Sequence, residues 1–133
     1  MSKIYGITID EFQLLLREAQ KSHLAQNEPI PELLPANVEK VNSCLLAPFQ
    51  TFFSVQLYKG FIAKAAILFY LLIKNHPLQN GNKRMAVLSL AYFYKKNRRK
   101  LDLTDDAFYQ LAVNTAKSTD KRKAILYIKN VLS

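Results

Sequence analysis

Residues 60–75 read Gly-Phe-Ile-Ala-Lys-Ala-Ala-Ile-Leu-Phe-Tyr-Leu-Leu-Ile-Lys-Asn, and residues 76–84 continue His-Pro-Leu-Gln-Asn-Gly-Asn-Lys-Arg. Wound as a helix, the first run is apolar on nearly every side: Phe61, Ile62, Ala65, Ala66, Ile67, Leu68, Phe69, Leu71, Leu72 and Ile73. A helix of that composition belongs in the middle of a domain, wrapped by others. Its most apolar part, Ala65 to Ile73, falls well short of the ~20 residues that span a bilayer. After the turn at 76–81 a second long helix is predicted from about Asn82 to Lys96, carrying Met85, Val87, Leu88, Leu90, Ala91, Tyr92 and Phe93.

The flanking sequence supplies the wrapping. Thr8 followed by Glu11 has the spacing of a capping box and opens a helix with Phe12, Leu15, Leu16 and Ala19 on one face, fading near Gln26. Pro29, Pro31 and Pro35 make a connector that is not helix interior. A short helix then runs from Asn37 to Ala47 on Val38, Val41, Leu45 and Leu46, and Pro48 stops it. Phe49 to Tyr58 is rich in aromatic and β-branched residues and reads as an extended segment or small hairpin. Two last helices begin at Thr104 and near Asp120, both good N-caps, with faces Phe108, Leu111, Ala112, Thr115 and Ile125, Ile128, Leu132. No strand alternates with helix in a βαβ pattern, which excludes Rossmann and P-loop architectures. The expected fold is all-α, with a small extended flap ahead of the central helix.

At 133 residues, half of them hydrophobic, the chain fits one domain, 1–133, with a real core. Nineteen Lys and Arg against ten Asp and Glu give a net charge of +9, which draws the molecule toward polyanions without choosing among nucleotides, nucleic acid, acidic proteins and anionic lipid. Cys44 is the sole cysteine, so no internal disulfide and no thiolate metal cluster can form, and its apolar neighbours mark it as a buried, inert thiol. The start of the chain lacks an apolar core of signal-peptide length, and the expected setting is soluble and cytoplasmic. Lys95 to Lys100 clusters at a helix C-terminus, where cations are favourable without any ligand; Lys121, Arg122 and Lys123 begin a helix and are the better candidate for a nucleic-acid patch, though nucleic acid is not the favoured partner. His23 reads as an exposed histidine with no special task.

The chemistry concentrates at 76–84. A buried helix ends at His76, a Pro-containing turn follows, Gly81 permits a tight backbone, and Lys83 and Arg84 occupy the first turn of the next helix. Cations there oppose the helix dipole unless an anion needs them. Unpaired N–H groups at a helix start, joined by Lys and Arg, make a phosphate site, and a histidine one turn away suits a general base. The other reading of the same residues is surface charge and a histidine that ends a helix.

The stretch resembles the signature of the Fic/Doc family: His, any residue, Phe, any residue, Asp or Glu, Gly or Ala, Asn, Gly or Lys, Arg. His76, Gly81, Asn82, Lys83 and Arg84 match it in order, and Gln50-Thr51-Phe52, Leu57-Tyr58, Lys64-Ala65-Ala66 and Tyr92 to Asn97 are similar to its Doc branch. The resemblance implies a Fic-fold helical bundle. It implies that His76 takes a proton from an incoming protein hydroxyl, that N–H groups from about Gly81 to Lys83 hold phosphate, that Arg84 clamps phosphate, and that Asn82 orients the loop and contacts nucleotide. Thr51, Phe52, Phe53, Ser54 and Val55 correspond to the flap on which a target chain is laid by strand addition.

Two positions depart from the pattern. Leu78 replaces the Phe that anchors the loop, an apolar exchange. Asn80 stands where the family has the acidic residue that helps hold Mg²⁺, keeping an oxygen and losing the charge. Lys83 and Val87 occupy places where AMP-transferring members usually have Gly and a further Arg. The Doc branch is implied to move the terminal phosphate of ATP, with Mg²⁺, onto a Ser, Thr or Tyr hydroxyl of a target such as a translation factor, as the toxin of a toxin–antitoxin pair. AMP transfer and a catalytically degenerate binding module are the alternatives. No Ser or Thr is followed four residues on by Glu, the spacing of the family's built-in inhibitory helix, so a separate antitoxin protein is implied.

Overall fold

The computed structural model describes residues 3–21 and 30–133. Among these, the chain forms six α-helices and one small hairpin: α1 (Ile9–Lys21), α2 (Pro35–Leu46), a 3₁₀ turn (Ala47–Phe49), β1 (Thr51–Phe52), β2 (Val55–Gln56), α3 (Phe61–Lys74), α4 (Asn82–Lys96), α5 (Asp105–Lys117) and α6 (Lys121–Leu132). None of the helices is long and apolar enough to cross a membrane.

Helix α3 is the axis. Helices α2, α4, α5 and α6 all pack on it, while α1 lies on α2 and α4. Ala65, Ala66, Ile67, Leu68, Phe69, Leu72 and Ile73 are all sealed from solvent. Because α3 is buried on several sides, it needs small residues where a neighbour comes close and large ones where a gap opens; Ala65 and Ala66 beside Phe69 meet both needs. The Phe61 ring stacks on Phe93 of α4 at 4.8 Å and meets Tyr94 edge-on at 4.7 Å, and the Arg99 guanidinium lies 4.3 Å from its centroid. At the other end Lys74 Nζ donates to the carbonyls of Ala116 (3.0 Å) and Ser118 (2.8 Å), tying α3 to the close of α5.

The caps follow the sequence. Glu11 N donates to Thr8 Oγ1 at 3.1 Å and Thr8 N to Glu11 Oε1 at 2.9 Å, the reciprocal pair of a capping box. Thr104 accepts from Ala107 N and Asp120 from Lys123 N, each at 3.1 Å. Helix α2 begins two residues earlier than its apolar face predicts: Pro35 takes the first helical turn, where a missing N–H leaves nothing unsatisfied. It ends at Leu46, and Pro48 sits in the 3₁₀ turn that follows. Gln26, Pro29 and His23 lie outside the described residues.

The extended segment is a two-stranded antiparallel hairpin, Thr51 opposite Gln56 and Phe52 opposite Val55. Leu57 N donates to Gln50 O at 3.1 Å, carrying the ladder one step further. The turn residues Phe53 and Ser54 have φ of 50° and 65°. Two successive positive φ values match the right-handed twist of a hairpin, and they are ordinarily given to Asn-Gly. All of 51–56 is exposed, with Phe53 85 % accessible. Cys44 is buried; burial pushes its thiol up to about 11, and Sγ faces Leu71 O at 3.7 Å.

Candidate active site

Helix α3 stops in a way that presents His76. Asn75 keeps helical geometry and its N–H still donates to Leu71 O at 3.0 Å. The next residue, His76, turns to φ +45°, the left-handed conformation that ends many helices and usually falls to Gly. Pro77 and Leu78 then bury themselves, so the chain dives into the core directly after the histidine and leaves its imidazole outside. Among the described residues no hydrogen bond ties that imidazole down, so its ring nitrogens are available to a proton donor in the cavity.

Two asparagines set the loop. Asn37 Nδ2 donates to Pro77 O at 2.8 Å. Asn82 holds both sides of Leu78: Leu78 N donates to its Oδ1 and its Nδ2 donates to Leu78 O, each at 2.9 Å. The side-chain amide of Asn82 is thereby engaged at both ends in shaping the loop. Leu78 itself is 4 % exposed and anchors the turn from below.

Gly81 has two reasons to be glycine. Its φ is +84°, and a Cβ there would lie 2.8 Å from Cγ1 of Ile30. Ile30 is itself fixed, buried and with its carbonyl accepting from Gln20 Nε2 at 3.0 Å. Gly81 caps α4 without a side chain, and Gly81 O accepts the first helical bond from Met85 N at 2.9 Å. The N–H groups of the first turn therefore have no partner within the helix. That turn holds Lys83 and Arg84 and no acid. Gly81 N donates to Asn80 Oδ1 at 2.9 Å, which turns the Asn80 oxygen toward its own loop.

These groups share one cavity of about 430 Å³, lined by His76, Gln79, Asn80, Gly81, Asn82, Lys83 and Arg84 on one side. Ile73, Val87 and a stripe of α5 line the other: Tyr109, Ala112, Val113 and Ala116. The arrangement offers anion donors at one end, a histidine beside them and an apolar wall opposite. The hairpin residues 51–55 are not part of this cavity; Thr51 lines a second one.

A family model described as Fic/DOC matches residues 3–94. The chain belongs to the Fic/DOC family. Comparison with curated proteins and with solved structures returns no match. The Fic/DOC match ends inside α4, so α5 and α6 lie beyond it, although α5 supplies one wall of the cavity. The α5 residues are the ones that motif reading misses. Their only trace in the sequence is spacing, because 109, 112, 113 and 116 fall on one helical stripe.

Proposed function

We propose that this chain is a Doc-type transferase that moves the terminal phosphate of ATP onto a Ser, Thr or Tyr hydroxyl of a protein target such as a translation factor, as a toxin held in check by a separate antitoxin protein. The observation that carries the reading is the shared cavity, in which an exposed, untethered His76 stands beside the uncapped start of α4 with Lys83 and Arg84. His76 accepts the proton of the target hydroxyl as its oxygen attacks the terminal phosphorus. The bond from that phosphorus to the bridging oxygen breaks, and ADP leaves. The first-turn N–H groups of α4, with Lys83 and Arg84, hold the phosphate oxygens and offset the charge that builds there.

The donors fit phosphate. They do not by themselves make a Mg²⁺ site: the family's metal position offers only the neutral amide of Asn80, whose oxygen accepts the Gly81 N–H.

Val87 supports phosphate transfer over AMP transfer. AMP-transferring relatives usually place a further Arg there, and here the cavity receives an apolar side chain. Purified protein given ATP labelled on the terminal phosphate, or on adenine, in whole-cell extract tests the reading. Terminal label on a target, lost in His76→Ala, is expected. Adenine label would convert the reading to AMP transfer, and nucleotide binding without either label would make the chain a binding module.

A further inference from the structure

A second cavity, of about 490 Å³, lies at the root of the hairpin between the paired residues Thr51 and Gln56, the start of α3 at Gly60, and Lys3 of the N-terminal segment. Lys64 of α3 also lines it and is only 4 % exposed. Its Nζ donates to Gln56 Oε1 at 2.7 Å and to the Tyr58 carbonyl, and the Phe49 ring centroid lies 5.8 Å away. All of these are neutral. No carboxylate pairs with Lys64 among the described residues. Buried ammonium groups are ordinarily matched by an anion, because losing water costs several kcal/mol that neutral oxygens offset only in part. An ammonium also has three donors, and two are used. Burial accordingly lowers the Lys64 pKa.

The surroundings repeat that imbalance. Helix α3 has no side-chain cap at Gly60 and no acid in its first turn, and Lys3, whose Nζ lies 5.4 Å from the Tyr5 ring centroid, lines the same cavity. Thr51 and Gln56 belong to the strand pair itself, so a chain added to the hairpin sends every second side chain toward one face of it, at ~3.3 Å of rise per residue. One buried ammonium suits a monoanion of short reach. We propose that this cavity takes the carboxylate of an Asp or Glu side chain belonging to the protein segment laid along the flap, so that the target is selected by an acidic residue at a fixed distance from its modified hydroxyl. The proposal rests on the flap being the target-docking element.

The test measures binding rather than transfer. Short fluorescent peptides with a central Thr carry Glu, or Gln as control, at each other position in turn, and their affinity for the full chain is read by anisotropy without nucleotide. One Glu position is expected to bind about tenfold tighter than its Gln twin, the size of one charge-assisted hydrogen bond. Lys3→Ser and Lys64→Met should each erase that preference, and His76→Ala should keep it. Lys3 is exposed, so its variant decides the matter even if Lys64→Met, which also loses the grip on Gln56 and Tyr58, melts too low to use. Peptides that bind equally with Glu and Gln would overturn the acid site and leave the flap reading standing. A preference that survives Lys3→Ser, or a folded Lys64→Met, would overturn it too, as general attraction to a +9 chain. Inorganic phosphate seated here, with no peptide preference, would mark a free-anion site instead. Peptides that fail to bind in every register would remove the flap reading and this proposal together.

Discussion

In the transferase we propose, Asn80 is the residue that sets the level of activity. Its amide oxygen accepts the Gly81 N–H, and its place in the cavity lies beside His76 and the α4 start. Asn80→Asp puts a full carboxylate there, next to Lys83 and Arg84. We expect Mg²⁺ to tighten ATP binding in that variant and phosphate transfer to rise roughly thirtyfold, about 2 kcal/mol of barrier. Labelled transfer with and without Mg²⁺, alongside calorimetric ATP titration, checks this, and equal values in both forms would free Asn80 of any part in metal binding. His76, Gly81, Asn82, Lys83 and Arg84 were legible as a cluster because motif order survives in one short stretch. Lys64 was not. It reads as one polar position in an apolar helix, and nothing local tells that the hairpin folds over it and removes it from water.

Among the elements, α5 shows how an unremarked helix enters a site. Its caps and core face follow from Thr104, Leu111 and Ala112, and a neighbouring stripe of the same helix reaches the cavity. Tyr109 is 63 % exposed at the mouth of that stripe. Tyr109→Ala should weaken nucleotide binding about tenfold, through lost aromatic contact of ~1–3 kcal/mol, while the melting temperature stays put; unchanged ATP affinity would return Tyr109 to ordinary surface. Deeper in the helix, Thr115 Oγ1 is fully buried with no hydrogen-bond partner among the described residues. Thr115→Val keeps the shape and removes an unpaired hydroxyl, so it should raise stability by about 1 kcal/mol in denaturant unfolding; a loss would mean that the hydroxyl is satisfied in solution. Residues 49–58 were legible as an extended segment or small hairpin, but the residues of its turn were not. Phe53 and Ser54 carry the positive φ values without the Asn-Gly signal, so the turn geometry comes from strand pairing rather than from local preference.

At the scale of the molecule, the N-terminal segment is strapped across α4 by contacts that no local reading finds. Tyr5 and Asn97 exchange hydrogen bonds of 2.7 and 2.9 Å over a separation of 92 residues. Lys96 Nζ donates to Gly6 O at 2.7 Å and to Glu11 Oε1 at 2.6 Å, and the Tyr92 hydroxyl donates to the other Glu11 oxygen. The sequence shows Glu11 only as half of a capping box; its second task depends on α4 arriving alongside. Burial by itself would raise the Glu11 carboxyl, but hydrogen bonds from Lys96, Thr8 N–H and Tyr92 outweigh it and hold the pKa at about 2, against an ordinary 4.5. A carboxyl lowered on folding stabilises the native state above its unfolded pKa and loses that contribution as pH falls through the folded one. The strap should therefore contribute fully at neutral pH and fade between pH 4.5 and about 2. With the carboxylate about a quarter exposed (24 %), solvent leaves roughly 2 kcal/mol, or ~8 °C in melting temperature for a domain of this size. Melting curves of the native chain and Glu11→Gln should differ by that amount at pH 7 and converge in strong acid. A deficit that persists unchanged at low pH would show that Glu11→Gln acts through the capping box rather than through its charge. Because the same strap holds the segment that places Lys3 at the cavity of the hairpin root, the preference for acidic peptides we propose should weaken in Glu11→Gln as well, read by the same anisotropy titration.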